Sequence, residues 1–188
     1  MPPTPGLPGP GIGRVTLLHT AQLSPSARRA ARLLVDRAFG GAFADSDWDH
    51  ALGGLHALVH DGGDLVPHGA VVQRHLLHGG WTLRVGYVEA VAVHPALRRR
   101  GLASSVLAAI EEVVRGAYDA GALSATENEA LLYSSRGWQR WHGSTWALTP
   151  SGRVRTAEDD DAVFVLPVTA ALDVTGELTC DWRDGDVW

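Results

Sequence analysis

The sequence predicts an α/β protein in which helices precede and follow an antiparallel three-stranded meander. Three observations carry that prediction. Hydrophobic periods switch between strand-like and helical along the chain, three strands joined by tight glycine turns occupy the middle, and the longest helical period follows them directly. The length of 188 residues suits one domain. With 45% hydrophobic and 20% charged residues the composition is globular. No apolar run approaches the roughly 18 residues that read as a membrane span.

Met1 to Gly13 is rich in proline and glycine and lacks the basic and apolar regions of a secretory signal. It is expected to be a disordered leader on a cytoplasmic protein, with residues 14–188 forming a single domain that includes an acidic C-terminal extension. Val15 to Leu18 reads as a short buried strand. Ser24-Pro25 then supplies an N-cap and a first-turn proline, and Ala27, Ala30, Ala31, Leu34 and Ala38 follow at helical spacing up to Gly40-Gly41. Asp47-Trp48 opens a short second helix that Gly53-Gly54 stops. Leu55 to His60, Leu65 to Leu77 and Trp81 to Val93 form an antiparallel meander, turned at Asp61-Gly62-Gly63-Asp64 and His78-Gly79-Gly80. The period from Arg99 to Ala120 is helical, and Gly121 is placed to end it. Leu123 to Ala125 reads as a strand, Glu127 to Arg136 as a short helix and Gly137 to Trp141 as the start of another strand. Val163 to Val168 is expected to be the last strand, and the tail to elaborate the domain without a second core.

Charge is segregated. Residues 157–188 hold nine acids and one arginine, a balance of −8, whereas residues 1–156 carry +3, giving −5 overall. All sixteen basic residues are arginine. An acidic tail disfavours nucleic acid and suits a cationic partner, although such runs also serve as solvated faces. The lone Cys180 excludes an intrachain disulfide and reads as a small buried hydrophobe. Nine histidines raise the question of a metal, but His56 and His60 are separated along one strand by roughly 13 Å and cannot share an ion. No metal is expected. No serine stands in a nucleophile elbow. Trp138, Trp141 and Trp146 are expected to fill the core or an oligomer contact.

The sharpest motif is Arg98-Arg99-Arg100-Gly101-Leu102-Ala103, directly after the strand Val88 to Val93 and opening the longest helix. Glycine admits close backbone approach, a helix start leaves N–H groups unpaired, and the helix dipole favours an anion such as a pyrophosphate. Taken alone the run is equally an arginine-rich helix start on a solvated surface. Glu89 is a second feature, a carboxylate in an otherwise apolar strand, costly to bury unless paired or functional. An arginine partner in a purely structural pair would also explain it.

Arg/Gln-x-x-Gly-x-Gly/Ala after a Val-x-Val strand resembles the coenzyme A pyrophosphate loop of the GNAT N-acetyltransferases. The remaining motifs narrow this. Asp47-Trp48 with Gly53-Gly54, Gly86-Tyr87-Val88-Glu89, Arg115-Gly116-Ala117-Tyr118, Leu132-Tyr133-Ser134-Ser135-Arg136-Gly137-Trp138, Asp159-Asp160-Asp161 before Val163-Phe164-Val165-Leu166-Pro167, and Cys180 to Trp188 together resemble the aminoglycoside 2′-N-acetyltransferases. The likeness spans the chain from the first strand to the last residue.

That resemblance implies the α/β GNAT fold, a mixed, mostly antiparallel twisted sheet with helices on both faces, and acetyl transfer from acetyl-CoA to the 2′-amino group of aminoglycosides in a homodimer. Direct attack in a ternary complex is expected, because the single thiol, Cys180, lies in the acidic tail away from every motif. It implies a bulge in the strand Val88 to Val93, with backbone groups of Val91, Ala92 and Val93 on the pantetheine arm and thioester and Arg98 to Ala103 on the pyrophosphate. Glu89 would be the base and Tyr133 the acid for the departing thiolate, although Tyr133 is nearly as well explained as a helix aromatic packed on the core. Ala42, Asp47, Glu89, Ala90, Ser124, Glu158, Asp159, Asp186 and the Trp188 carboxylate would meet the sugar. The departure is Ala42, where the family places an acid. Neither a nucleic acid nor a membrane partner is implied. A GNAT enzyme for another amine, such as a polyamine, a cell-wall metabolite or a protein N-terminus, and a CoA-binding regulator without turnover are the alternatives.

Overall fold

The computed structural model describes residues 13–188. The expected leader lies outside the described residues except for Gly13, whose N–H donates to the His60 carbonyl at 3.1 Å. After β1 (Thr16–His19), Ser24 caps α1 (Pro25–Ala38) by accepting the Ala27 N–H at 3.1 Å, with Pro25 at the first turn as expected. Ala31, Leu34 and Val35 are the buried stripe of that helix. A short α2 (Asp45–His50) leads into the meander β2 (Leu55–Asp61), β3 (Asp64–His78) and β4 (Trp81–Val93). Gly79 and Gly80 turn the second hairpin at φ 59° and 83°, where other residues would be strained.

The long helix is shorter than its period suggests. Arg99 and Gly101 have φ of 62° and 78°, so α3 begins only at Leu102 and ends at Ala117. Gly121 does not terminate it. It lies in β5 (Ala120–Ser124) opposite Gly86, where an added Cβ would come within 2.9 Å of the Trp138 ring. Packing density, not turn geometry, is why a small residue stands there. Next come α4 (Ala130–Ser134), β6 (Gln139–Arg140), the hairpin β7 (Thr145–Thr149) with β8 (Gly152–Arg155), β9 (Val163–Pro167) and β10 (Leu178–Cys180). The β7–β8 hairpin and β10 are additions to the expected elements, so β9 is not the last strand.

The strands lie in the order β6-β9-β5-β4-β3-β10-β7-β8, with β2 also on β3 and β1 on β2. β3 is long enough to carry β2 along its first half and β10 along its second. Among the described residues only β4–β5 and β10–β7 pair in parallel. One apolar cluster lies under α3 and α4 (Val106, Leu107, Ile110, Val114, Phe164) and another under α1 and α2 (Val35, Trp48, Ala70, Ala92). A third gathers Tyr87, Trp141, Leu178, Cys180 and Trp188. The tail thus packs onto the central strands through Leu178, Cys180 and Trp188 and shares their core. Trp138 and Trp141 are buried as expected, whereas Trp146 is half-buried with the Arg153 guanidinium 4.2 Å from its ring centre. No helix among the described residues is long and apolar enough to cross a membrane.

Two features open the sheet. Parallel pairing of β4 with β5 ends at Tyr87 opposite Ala122, while β4 runs on to Val93. Its register with β3 shifts between His68 and Ala70, and Ala90 there has φ of 50°. This is the expected bulge, a residue left over on one strand that bends it away from its neighbour.

Candidate active site

Two cavities follow one another along β4, one at Tyr87 to Val91 and the other at Val91 to Val93. One of ≈ 710 Å³ is bounded by Val91, Ala92 and Val93, by the loop before α3, and by Asn128 and Leu132 at α4. Arg98, Arg99, Gly101, Leu102 and Ala103 all face it, whereas Arg100 is exposed and off its wall. The positive φ of Gly101 makes the loop tight, and a Cβ built there meets nothing within 4 Å, so this wall is open to a bound group. Arg98 donates to the Ala38 carbonyl at 2.7 Å, tying the loop to the end of α1. A long anionic coenzyme fits this cradle of free strand edge, glycine loop and helix start.

The second cavity, ≈ 390 Å³, shares Val91 and Tyr133 with the first, so the two meet at the bulge. Its wall brings together Ala42, Asp47, Glu89, Ala90, Ser124, Asp186 and Trp188 from five separate elements or loops. Glu158 is exposed and off the wall, as is the half-buried Asp159. Burial, then the neighbouring Asp186, pushes the Asp159 carboxyl up to about 6.

Glu89 has a side chain only 13% exposed and is ion-paired with Arg183. Burial raises its pKa above the ordinary carboxylate range, and the Arg183 guanidinium opposes that rise. Arg183 also lies over the Tyr87 ring and donates from Nε to the Asp186 carbonyl at 2.8 Å. One guanidinium therefore joins the buried carboxylate to the chain end. Its signal was in the sequence, as the single base among nine acids. The wall residues Phe39, Phe43, His50 and Tyr87 were not anticipated either.

Trp188 is buried, with its indole N–H on Thr156 Oγ1 at 2.9 Å and its backbone N–H on Asp186 Oδ1 at 3.2 Å. The chain end thus folds back onto the domain. Trp182 is 46% exposed and gives no anchor. Asp181 gives one, accepting from buried Arg74 at 2.8 Å and from the His75 N–H at 3.1 Å. Asp47 uses one carboxylate oxygen to accept the Ala44 N–H at 2.9 Å at the start of α2, and the other has only a long contact, 3.5 Å, with the Ser46 hydroxyl. Tyr133 packs against Trp138 and Phe164 and faces both cavities, so its core and site readings hold together. Burial raises its pKa well above the ordinary phenol value, which keeps the hydroxyl protonated as a donor. Cys180 is fully buried, its thiol pushed up to about 11 by desolvation, and carries no nucleophile.

Comparison with known proteins accords with this geometry. The family model described as acetyltransferase (GNAT) domain matches residues 22–141. A curated "Aminoglycoside 2'-N-acetyltransferase" of Mycolicibacterium fortuitum is 53% identical over 176 residues, which is 92% of this chain and 90% of the relative. Among solved structures, a GNAT family N-acetyltransferase (YhbS) of Escherichia coli in complex with CoA superposes with TM-score 0.62 at 18% identity, covering 93% of each chain. Escherichia coli ElaA gives TM-score 0.59 at 16% identity, over 83% of this chain and 99% of its own. These two likenesses bear on the fold. The chain belongs to the GNAT acetyltransferases and, within them, to the aminoglycoside 2′-N-acetyltransferase family.

Proposed function

From membership of that family, we propose that the protein transfers acetyl from acetyl-CoA to the 2′-amino group of aminoglycosides, in the two cavities that meet at the bulge. The observation that carries the reading is a carboxylate, Glu89, in the wall of an acid-lined cavity two residues along β4 from Val91, where a coenzyme-shaped cavity joins it. Acetyl-CoA supplies an acyl group activated as a thioester. The residues of the chain supply everything else.

Arg98, Arg99 and the N–H groups at the start of α3 hold the pyrophosphate, and backbone groups of Val91, Ala92 and Val93 hold the pantetheine arm and the acyl carbonyl. Asp47, Asp186 and the Trp188 carboxylate draw the ammonium groups of the sugar into the second cavity, with Ser124, Ala42 and Ala90 shaping it and Glu158 and Asp159 adding negative potential from outside. Glu89 takes the proton of the attacking amine, as the carbon–nitrogen bond forms and the carbon–sulfur bond breaks. Tyr133 gives a proton to the departing sulfur. A carboxylate with a raised pKa is a stronger base than an exposed one, and binding both reactants in one cleft supplies the proximity that transfer needs.

The resemblance further makes the working unit a cytoplasmic homodimer. Exposed Trp81, Leu148 and Val154, near the β3–β4 turn and along the β7–β8 hairpin, offer apolar surface for the contact. The test of the activity is thiol release from acetyl-CoA against a panel of amines. Release is expected with tobramycin and not with amikacin or kanamycin A, which lack a 2′-amine. Release with simple polyamines alone would overturn the substrate assignment, and no release with any amine would leave a CoA-binding regulator.

A further inference from the structure

Behind the bulge, on the side away from both cavities, two histidines are buried with no exposed surface. His68 Nδ1 lies 2.8 Å from the Ala90 carbonyl oxygen, His68 Nε2 lies 3.0 Å from His56 Nδ1, and His56 Nε2 lies 2.8 Å from Thr20 Oγ1. A carbonyl can only accept, so His68 Nδ1 carries the proton. Its Nε2 then accepts from His56 Nδ1–H, and His56 Nε2 accepts the Thr20 hydroxyl proton. Thr20 Oγ1 in turn accepts the Gly53 N–H at 2.9 Å. Only one direction satisfies every group. Burial holds both rings neutral, pushing His68 down to about 4 and His56 to about 3, so the direction is the same throughout the neutral range.

The far end of this chain of bonds is the residue that makes the bulge. Ala90 has φ of 50°, a conformation unfavourable for a side-chain-bearing residue, which persists only where its surroundings impose it. In a trans peptide the C=O and the following N–H point in opposite directions, and no cis peptide occurs among the described residues. An imidazole holding the Ala90 oxygen therefore turns the Val91 N–H away from itself. His68 lines neither cavity, whereas Ala90 and Val91 line the second and Val91 also the first. The 90–91 peptide is thus a plane with a fixed donor behind it and the site in front.

We propose that His68, locked in one tautomer by His56 and Thr20, is a positioning residue that aims the Val91 N–H at the acyl carbonyl of acetyl-CoA. The proposal rests on the reading of Val91 given above. Preorganised donors aimed where negative charge develops are worth more than mobile ones, because nothing has to reorient during reaction. Histidine suits the place because a neutral ring both donates and accepts, so a second buried ring can fix its tautomer.

Nitrogen-15 spectra of the wild-type protein test the first half without any variant. Both rings are expected as Nδ1–H tautomers, with His68 Nε2 bare; an Nε2–H tautomer at His68 overturns the proposal. The second half is read from the infrared carbonyl stretch of acetyl-CoA labelled with carbon-13 at its carbonyl. Binding to wild type should lower that frequency. His68→Phe should lose the lowering and about 10- to 100-fold in kcat, with CoA affinity and tobramycin KM within about threefold. His68→Asn, whose amide can donate to Ala90, should recover most of both. A folded His68→Phe with the wild-type frequency and kcat overturns the proposal. If that variant does not fold, Thr20→Val, which frees the tautomer of His56, is expected to weaken the frequency shift, and an unchanged shift overturns it. Absence of any shift in wild type would remove Val91 as the donor, a failure of the underlying reading that is distinct from failure of His68 to aim it.

Discussion

The two cavities that meet at the bulge are built in opposite ways. The larger one is lined mainly by two nearby stretches, Val91 to Val93 and Arg98 to Ser104, with a glycine at positive φ and a helix start between them. The smaller one is assembled from side chains far apart in sequence, from Ala42 and Asp47 to Asp186 and Trp188, and carries the buried Glu89–Arg183 pair. A cosubstrate that is gripped through backbone groups can be served by local geometry that one stretch of chain encodes. A polycationic acceptor is gripped through charge, and charge has to be gathered by the fold. Mutations on one side should therefore spare the other.

The sharpest break of that symmetry is Glu89→Gln. Loss of the base should lower kcat/KM for tobramycin by about 10²–10⁴-fold, while CoA affinity measured by calorimetry stays within about threefold. An unchanged rate from acid to neutral pH would remove Glu89 as base and leave it a structural partner of Arg183. Second in size is deletion of Val187 and Trp188, which takes away the buried indole and its bond to Thr156 and lets Asp186 drift. The tobramycin KM should rise at least about tenfold, or about 1.4 kcal/mol, with CoA binding retained. The rise should shrink at high salt, because ions screen the lost attraction. A shortened chain with unaltered KM would make the end a packing element only.

What could be read from sequence follows the same division. Ser24-Pro25, the glycine turns and the switch from period two to helical period sit in the chain where the structure uses them, since caps and turns are local. The acidic cluster became legible only through family likeness, because spacing along the chain says nothing about which distant carboxylates converge. Gly121 misled for a physical reason: a glycine demanded by the Trp138 ring looks the same in sequence as one demanded by a helix end. The three-residue β10 is too short for a period, and its pairing with β3 and β7 is wholly tertiary. The His56–His68 contact was hidden because it crosses between strands, whereas spacing along the chain directs attention to neighbours such as His56 and His60.

A smaller effect, on the coenzyme side, separates ligand contact from backbone strain. Gly101 and Gly80 have φ of 78° and 83°, and neither has an atom within 4 Å of an added Cβ. Alanine at either should cost about 1 kcal/mol of stability, seen as a lowered Tm, because the left-handed region disfavours a Cβ. Only Gly101→Ala should also weaken CoA, by a few-fold up to about tenfold, since Gly80 lies at the β3–β4 turn and lines neither cavity. Equal CoA affinity in both variants would make Gly101 a structural glycine with no bearing on the ligand.

The finest discrimination concerns the pH dependence of the acceptor side. Burial drives the Glu89 carboxyl upward and Arg183 is the first of the opposing influences, with Arg74 and His50 contributing in the same sense. Arg183→Gln removes the guanidinium but keeps an amide that can hold the carboxylate and the Asp186 carbonyl. Loss of a cation raises a carboxyl pKa, and a base works only when deprotonated, so the acid limb of kcat/KM should move to higher pH. The rate at alkaline pH should return towards that of the parent enzyme, and the limb for CoA affinity should not move. Arg183→Lys, which restores the charge without the fork that reaches both partners, should bring the limb back while leaving the tobramycin KM raised. Were Arg183 only a strut for the tail, both variants would raise KM and neither would move the limb, and the coupling of base to chain end through one guanidinium would be disproved.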